Sequence, residues 1–175
     1  MSNIEDIKNV ADMEKCLSVS DMSRYSAFSN NTRKLQFLLA RNIVKNECGE
    51  NIIVDENGAP TIKNGFISIS HKDNLVVVAV SKFKVGIDIE NTTINRDFVS
   101  QSELLGLPKT DNKQQFYKNF VKYESNFKFG NNANNAHNYF YEHGDYLIGI
   151  CTYESISDIQ FILSGADTVR FLCAE

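Results

Sequence analysis

The stretch KVGIDIENTT, residues 84–93, places two carboxylates in a segment otherwise suited to burial. Aliphatic side chains alternate with Asp88 and Glu90. Because successive side chains of a strand point to opposite faces, the two acids share the face opposite the aliphatic residues. Adjacent like charges repel each other unless water, a nearby Lys or Arg, or a bound cation neutralises them. The pattern leaves three interpretations open: a solvated sheet face, a pair neutralised by a nearby Lys or Arg, or a site that holds a bound cation.

A third carboxylate, Glu124, stands beside an aromatic stripe with helical spacing. The stripe consists of Phe116, Phe120, Tyr123 and Phe127. A carboxylate at its margin is partly buried and needs a partner, which Lys128 can supply one turn later. One interpretation is a surface ion pair between Glu124 and Lys128, worth a few tenths of a kcal/mol. The other is a hard-oxygen site for Mg²⁺ formed by Asp88, Glu90 and Glu124.

Two long helices are predicted around these residues. The segment NNTRKLQFLLARNIVKNECG predicts a helix that Asn31 or Thr32 caps and Gly49 ends. A second helix covers DNKQQFYKNFVKYESNFKFG, and the polar segment NNANNAHN that follows it predicts a mobile loop.

Strands are predicted on both sides of the second helix. NIIVDENGAP predicts a short strand and a turn, and GFISIS, NLVVVAVS and KVGIDIE predict three strands whose tight connections favour an antiparallel meander. Further strands are predicted in DYLIGICTYE, DIQFIL and TVRFLCAE. Helix followed by strands thus occurs twice, which indicates the α+β class. We expect two similar halves, residues 1–81 and 82–175, that form one globular unit.

Composition excludes several classes of protein. The 175 residues are 42% hydrophobic and 23% charged, as in ordinary globular proteins, and a net charge of -4 gives no support for a nucleic-acid surface. No apolar run approaches the roughly 20 residues of a membrane span. The polar start MSNIEDIKNV is unlike a signal peptide, so we expect a cytoplasmic protein. The cysteines show no CxxC pair, which favours structural thiols over a zinc site.

Four elements in a fixed order resemble the 4′-phosphopantetheinyl transferases, particularly the single-chain surfactin-synthetase-activating type. They are SISH, VGIDIE, DFVSQSE and FYKNFVKYESNFK. These elements are similar to the family's Ser-His element, its Gly-hydrophobic-Asp-hydrophobic-Glu strand, its Phe-x-Ser-x-x-Glu element and its aromatic-led helix with Glu and Lys. Their order and spacing match from about Asn31 to the strand GDYLIGICTYES, which is most of the chain.

The resemblance implies a fold of two similar α+β halves packed as an internal pseudo-dimer, with the active site between them. It implies that the phosphopantetheine arm of coenzyme A is transferred to a serine of an acyl or peptidyl carrier protein, which releases adenosine 3′,5′-bisphosphate. Mg²⁺ is the implied cofactor, and coenzyme A and the carrier protein are the implied partners. Because two halves lie in one chain, a monomer is sufficient.

The resemblance also implies roles for the acidic residues and for one lysine. Asp88 and Glu90 match the strand carboxylates that bind Mg²⁺. Glu124 matches a third metal ligand and the general base, and Lys128 matches the lysine that steadies the pyrophosphate and the leaving group. These residue types suit the reaction, because the serine needs a base and the leaving oxygens need positive charge.

Three further residues match positions that contact coenzyme A in this family. Ser70 and His71 match the pair that contacts its phosphates, and Arg33 matches a basic position near the adenosine 3′-phosphate. Taken without the family, a histidine at a strand end is more often a satisfied turn residue.

The chain departs from the family pattern at two cations. Ala59 in the turn GAP stands where the family usually has lysine, and Tyr123 stands where lysine precedes the helix glutamate. Phe120 replaces a common tryptophan but keeps an aromatic anchor. Each missing cation is expected to cost coenzyme A binding about 1–3 kcal/mol. A non-catalytic binding or regulatory module is therefore the alternative function, and another Mg²⁺-dependent phosphoryl enzyme is a third.

Overall fold

The computed structural model describes residues 10–56, 58–130, 133–154, 159–164 and 168–173. Within these ranges the helices are α1 (Val10–Glu14), α2 (Val19–Ala27), α3 (Asn31–Cys48), α4 (Phe98–Leu105) and α5 (Lys113–Phe129). The strands are β1 (Ile53–Val54), β2 (Pro60–Thr61), β3 (Phe66–Lys72), β4 (Leu75–Ser81), β5 (Val85–Asn91), β6 (His137–His143), β7 (Tyr146–Thr152), β8 (Ile159–Ser164) and β9 (Thr168–Cys173). This mixture of helices and sheets confirms the predicted α+β class.

The strands form three sheets with the orders β1–β2, β3–β4–β9–β8 and β5–β7–β6. Neighbouring strands run antiparallel except β4 and β9, which run parallel. Because β8 and β9 return to β4, the four-stranded sheet combines strands from both of the predicted halves, 1–81 and 82–175.

The predicted meander is correct for β3 and β4 but wrong for β5. β3 and β4 pair antiparallel, whereas β5 pairs with β7 in the other sheet. The physical reason is the burial of β4, whose aliphatic side chains are covered on both faces. Its second edge pairs with β9, and a bend at residues 82–83 carries the chain across to the second sheet.

Apolar side chains hold the two larger sheets face to face. The cluster between them consists of Leu75, Val77, Ala79, Val85, Ile87, Ile89, Ile148 and Ile150. The odd-numbered residues of β5 point into this cluster, as strand alternation predicts. Asp88 and Glu90 consequently lie on the opposite face of β5, the one that meets α5.

Each of the two longest helices covers the outer face of one sheet. α3 packs against β3 and β4 through Ala40, Ile43 and Val44. α5 packs against β7 through a cluster that includes Phe116 and Val121. The layers therefore follow the order α3, four-stranded sheet, three-stranded sheet, α5. None of the helices in the described ranges has the length and apolar character that crossing a membrane requires.

Side-chain caps begin the four longer helices. The capping residues are Ser18, Asn30, Asp97 and Asn112, and each accepts a hydrogen bond from a backbone N–H three residues later. α3 is thus capped by Asn30, one residue before the first of the two predicted caps, Asn31 and Thr32. Its end at Gly49 is confirmed, because this glycine adopts a left-handed conformation with φ of 67°.

The buried face of α5 differs from the predicted aromatic stripe. Phe116 is buried, but Tyr123 is 40% exposed and Phe127 is 75% exposed. The buried residues of the helix are Phe116, Tyr117, Val121, Ser125 and Phe129. The predicted stripe is correct for Phe116 and Phe120 but wrong for Tyr123 and Phe127. Further along the helix, α5 packs on glycine positions of the sheet, where the small Ser125 allows a closer approach than a large ring would.

The predicted loop NNANNAHN is shorter than expected. Residues 131 and 132 lie outside the described part of the chain. Ala133–Asn135 form a short 3₁₀ helix, and β6, which the sequence did not predict, begins at His137. β6 pairs antiparallel with β7 along its whole length.

Two glycines let α5 lie directly on the backbone of the sheet. A Cβ atom at Gly86 would lie 2.0 Å from the Ser125 carbonyl oxygen and 2.7 Å from the Phe129 nitrogen. A Cβ atom at Gly149 would lie 2.9 Å from the Val121 carbonyl oxygen. The helix therefore depends on the absence of side chains at these two positions.

We predict that Gly86→Ala displaces α5 and lowers the free energy of unfolding by about 3 kcal/mol, the upper end of the usual range for overpacking. Urea denaturation measures this change. Gly144→Asn is the control, because a Cβ at Gly144 meets no atom within 4 Å and asparagine tolerates its φ of 55°. The control should lose less than about 1 kcal/mol. Equal losses in the two variants would contradict the close packing of α5.

Candidate active site

The candidate site lies where the edge strands β3 and β5 of the two sheets meet. The Ser68 hydroxyl accepts a hydrogen bond from the Ile87 N–H at 3.0 Å. Two and four residues later, Ser70 and Lys72 reach Asp88 and Glu90. Every second side chain of β3 thus contacts a successive residue of β5.

Asp88 is almost completely buried, with 6% of its surface exposed. Its Oδ1 atom accepts hydrogen bonds from the Ser70 hydroxyl at 2.8 Å and from Lys128 Nζ at 2.7 Å. Lys128 Nζ also donates to the Ile87 carbonyl at 3.1 Å. Among the residues that the structure describes, none forms a hydrogen bond with the buried Asp88 Oδ2. This unpaired acceptor is available to a further cation or donor.

Glu90 is 9% exposed and is neutralised by two cations. Lys72 Nζ lies 2.8 Å and Arg96 Nη2 lies 3.1 Å from the same oxygen, Oε2. Arg96 itself lies over the rings of Tyr117 and Phe120, at 5.6 Å and 5.7 Å from their centroids. The interpretation of a solvated sheet face is therefore wrong, and neutralisation of the two acids by nearby Lys and Arg side chains is confirmed.

Glu124 joins these two carboxylates from α5. It is half-buried, and burial raises its pKa. The charges of Asp88 and Glu90 also raise the pKa, whereas Lys128 lowers it. The charges of Asp88 and Glu90 thus act on Glu124, and Lys128 forms an ion pair with Asp88.

The carboxylates present suitable chemistry for a hard cation. Carboxylate oxygens, including the unpaired Asp88 Oδ2, are donors of the kind that Mg²⁺ prefers. Among the residues that the structure describes, however, no group of three or more His, Cys, Asp or Glu side chains is arranged to hold a metal ion. Lysine and arginine side chains contact two of the candidate ligands instead.

A cavity of about 190 Å³ lies between α2, α3 and β3, and His71 is one of the residues that line it. Its lining includes three arginines, Arg24, Arg33 and Arg41, together with His71. Gly58 and Pro60, which flank Ala59, also line it. Three guanidinium groups around a small cavity favour an anionic ligand.

Arg41 is held in place by a buried ion pair. Its Nε atom lies 3.0 Å from Oδ1 of Asp21, and its guanidinium carbon lies 3.5 Å from the centroid of the Phe37 ring. Burial lowers the pKa of Arg41, and the neighbouring Arg24 and Arg33 lower it further, while Asp21 opposes them. The cavity therefore concentrates positive charge.

His71 lines the cavity, on the face of β3 opposite Ser70, the residue that contacts Asp88. Burial lowers its pKa to about 4, and the charges of Arg33 and Lys128 act in the same direction. Asp88 has a smaller opposing effect. The imidazole is therefore neutral at physiological pH.

Four cations near the site were not predicted from the sequence. Lys72 could have been predicted from the sequence, because it lies two residues after Ser70 and therefore on the same face of the strand. Arg41 lies two helical turns after Arg33 on the same helix. Arg24 and Arg96 lie outside the matched motifs, and nothing in their local spacing indicated a role.

The two positions that depart from the family pattern are both outside the core. Ala59 is exposed in the turn beside the arginine cavity. Tyr123 lies on the exposed side of α5.

A larger cleft of about 1010 Å³ lies elsewhere, near the start of α5, and its lining includes none of the predicted site residues.

In comparisons with known proteins, no family model and no curated sequence matches this chain. The resemblance described above therefore stays a prediction based on four motifs.

We predict that His71 makes the protein less stable as the pH falls from about 6.5 toward 4. The folded protein binds the imidazole proton only near pH 4, whereas the unfolded chain binds it near 6.5, so acid favours the unfolded state in this range. Urea denaturation at several pH values should show a smaller loss of stability in His71→Gln than in the wild type. His137→Gln, at an exposed position of β6, is the control. Parallel curves for wild type and His71→Gln would contradict the prediction.

Proposed function

We propose that this protein is a Mg²⁺-dependent 4′-phosphopantetheinyl transferase that moves the phosphopantetheine arm of coenzyme A to a serine of an acyl or peptidyl carrier protein. The position of His71 carries the proposal. It lines a cavity together with three arginines, and its neighbour Ser70, on the other face of β3, donates a hydrogen bond to Asp88. A ligand with one terminal phosphate and an internal diphosphate suits such an arrangement.

Coenzyme A has this distribution of charge. In the proposed complex its 3′-phosphate occupies the cavity of Arg24, Arg33 and Arg41, and its diphosphate lies beside His71 and Lys128. Ser70, which now donates to Asp88, would contact the same phosphates. We also propose that the two layers α3 on one sheet and α5 on the other are the halves of an internal pseudo-dimer.

The cations of the cavity reduce the importance of one departure from the family pattern, the missing lysine at Ala59. Arg24 and Arg41 line the cavity beside Ala59. Lys72 and Arg96 supply positive charge next to Glu90. Positive charge missing at Ala59 is thus present in the cavity, whereas the charges of Lys72 and Arg96 are paired with Glu90.

The proposed chemistry begins with the serine hydroxyl of the carrier protein. Glu124 takes its proton, and burial and the nearby acids favour this because they raise the pKa of the carboxyl group. The serine oxygen then forms a bond to phosphorus, and the bond from phosphorus to the adenosine bisphosphate oxygen breaks, leaving the electron pair on that oxygen. Lys128 stabilises the negative charge that develops there. Mg²⁺ bound at the carboxylates would add positive charge at the diphosphate.

We predict that Glu124→Gln lowers the rate of transfer by about 10²–10⁴-fold, the usual contribution of a general base. Mass spectrometry of apo carrier proteins incubated with coenzyme A and Mg²⁺ measures the added phosphopantetheine. The matched control is Glu142→Gln at an exposed position of β6, which should transfer at the wild-type rate.

Failure of the wild type to modify a broad panel of carriers would contradict the transferase proposal. If coenzyme A still bound in that case, the alternative of a binding module would be favoured. The cations that neutralise Asp88 and Glu90 in the free protein are the observation that supports this alternative.

We predict that Arg33→Met weakens the binding of coenzyme A about 10–100-fold, because it removes a charge-assisted hydrogen bond to phosphate. Isothermal titration calorimetry measures the affinity. Dephospho-coenzyme A, which lacks the 3′-phosphate, should bind equally well to variant and wild type. Lys34→Met removes the same charge from the next residue, which does not line the cavity, and serves as the control. An equal loss with both ligands would place the effect of Arg33 elsewhere.

A further inference from the structure

β6 is the last strand of the three-stranded sheet, whose order is β5–β7–β6. One of its edges pairs with β7 over all seven residues, without a bulge. No other strand in the described ranges pairs with its second edge. Such an edge presents a row of backbone donors and acceptors to which a further strand can be added.

The opposite edge of the same sheet is covered by side chains. There the Ile87 N–H of β5 donates to the Ser68 hydroxyl, and the Ile87 carbonyl accepts from Lys128. β6 also has none of the residues that usually protect a strand edge, because HNYFYEH contains neither proline nor lysine. The second edge of β6 is therefore suited to pairing.

The sequence of β6 reads almost the same in both directions. Around Phe140, HNYFYEH has tyrosine on both sides, then asparagine and glutamate, then histidine at both ends. We propose that β6 pairs antiparallel with β6 of a second copy of the chain, with Phe140 on the twofold axis. The two three-stranded sheets would then form one continuous sheet. The inference is independent of the proposed function.

Residues that lie opposite each other in this register are well matched. Tyr139 faces Tyr141 of the second copy, and Phe140 faces its own counterpart. Aromatic side chains in such positions stabilise antiparallel strands. Asn138 faces Glu142 of the second copy, whose carboxylate can accept a hydrogen bond from the amide. Symmetry in the sequence thus favours a second copy over an unrelated strand.

The backbone also fits this register. A twofold axis through a residue pairs even-numbered positions with even-numbered positions and odd with odd. In an antiparallel pair, residues that bond inward to β7 alternate with residues whose backbone groups point outward. Outward groups of one copy therefore meet outward groups of the other along the whole strand.

The helices leave room for the second copy. α5 lies over Gly86 and Gly149, on β5 and β7, rather than over the edge of the sheet. With strands about 4.8 Å apart, the α5 helices of the two copies would be roughly 19 Å apart. This distance exceeds the roughly 10 Å between packed helices. The candidate active site at β3 and β5 lies at the other edge of the sheet, so the pairing leaves it open.

Sedimentation velocity of the full chain over a wide range of concentration tests the association. We expect a reversible dimer in the wild type. Asn138→Glu places two carboxylates opposite each other at two symmetric positions and should raise the dissociation constant at least about tenfold. Adding Glu142→Lys to this variant replaces repulsion with attraction and should restore the dimer. Circular dichroism checks that each variant is folded.

A disulfide cross-link tests the register. Opposite residues of antiparallel strands have Cα atoms about 4.5–5.5 Å apart, which suits a disulfide. The double variant Asn138→Cys with Glu142→Cys should therefore form a covalent dimer on mild oxidation, seen by non-reducing electrophoresis. Each single variant is a control, because the same position in the two copies is four residues apart along the strands, roughly 13 Å.

A wild type that sediments as a monomer at every concentration would overturn the inference. A dimer whose double-cysteine variant cross-links no more than the single variants would overturn it as well, because association would then use another surface or another register. Cross-linking by the double variant alone would support the pairing even if Asn138→Glu failed to fold.

Discussion

A buried carboxylate must have a partner, and two of them on adjacent positions of one strand face impose this requirement twice. Burial of Asp88 and Glu90 is stable because three separate elements deliver compensating groups. β3 supplies Ser70 and Lys72, the segment after β5 supplies Arg96, and α5 supplies Lys128. The approach of α5 in turn depends on glycine at the contact points of the sheet. The close packing of α5 and the neutralisation of Asp88 therefore depend on each other.

The sequence predicted best what local geometry controls. Alternation along β5 identified Asp88 and Glu90 as neighbours on one face, and Gly49 correctly marked the end of α3. It could not predict which face of α5 is buried, because Gly86 and Gly149 decide this from distant positions. An aromatic stripe is an unreliable guide where a helix meets a flat, glycine-containing surface.

Long-range pairing explains the other errors. No local spacing indicates that β4 pairs parallel with β9 or that β5 leaves the meander for β7. Most of the cations near the site are likewise placed there by long-range contacts that local spacing does not indicate. Lys72 shares a strand with Ser70 and could have been found by alternation, whereas Arg24 and Arg96 reach the site only because the fold brings distant segments together.

The parallel partnership of β4 and β9 has a consequence for how the chain folds. Val76 pairs with Thr168 and Val80 with Leu172. One edge of β4, a central strand of its sheet, therefore pairs with residues about ninety positions later in the chain. Closing so long a loop costs entropy before any contact compensates for it, and proteins dominated by such distant contacts fold slowly. Until β9 arrives, β4 presents an unpaired, strongly apolar edge, which is the kind of surface that aggregates. The refolding yield of this protein should therefore depend on its concentration.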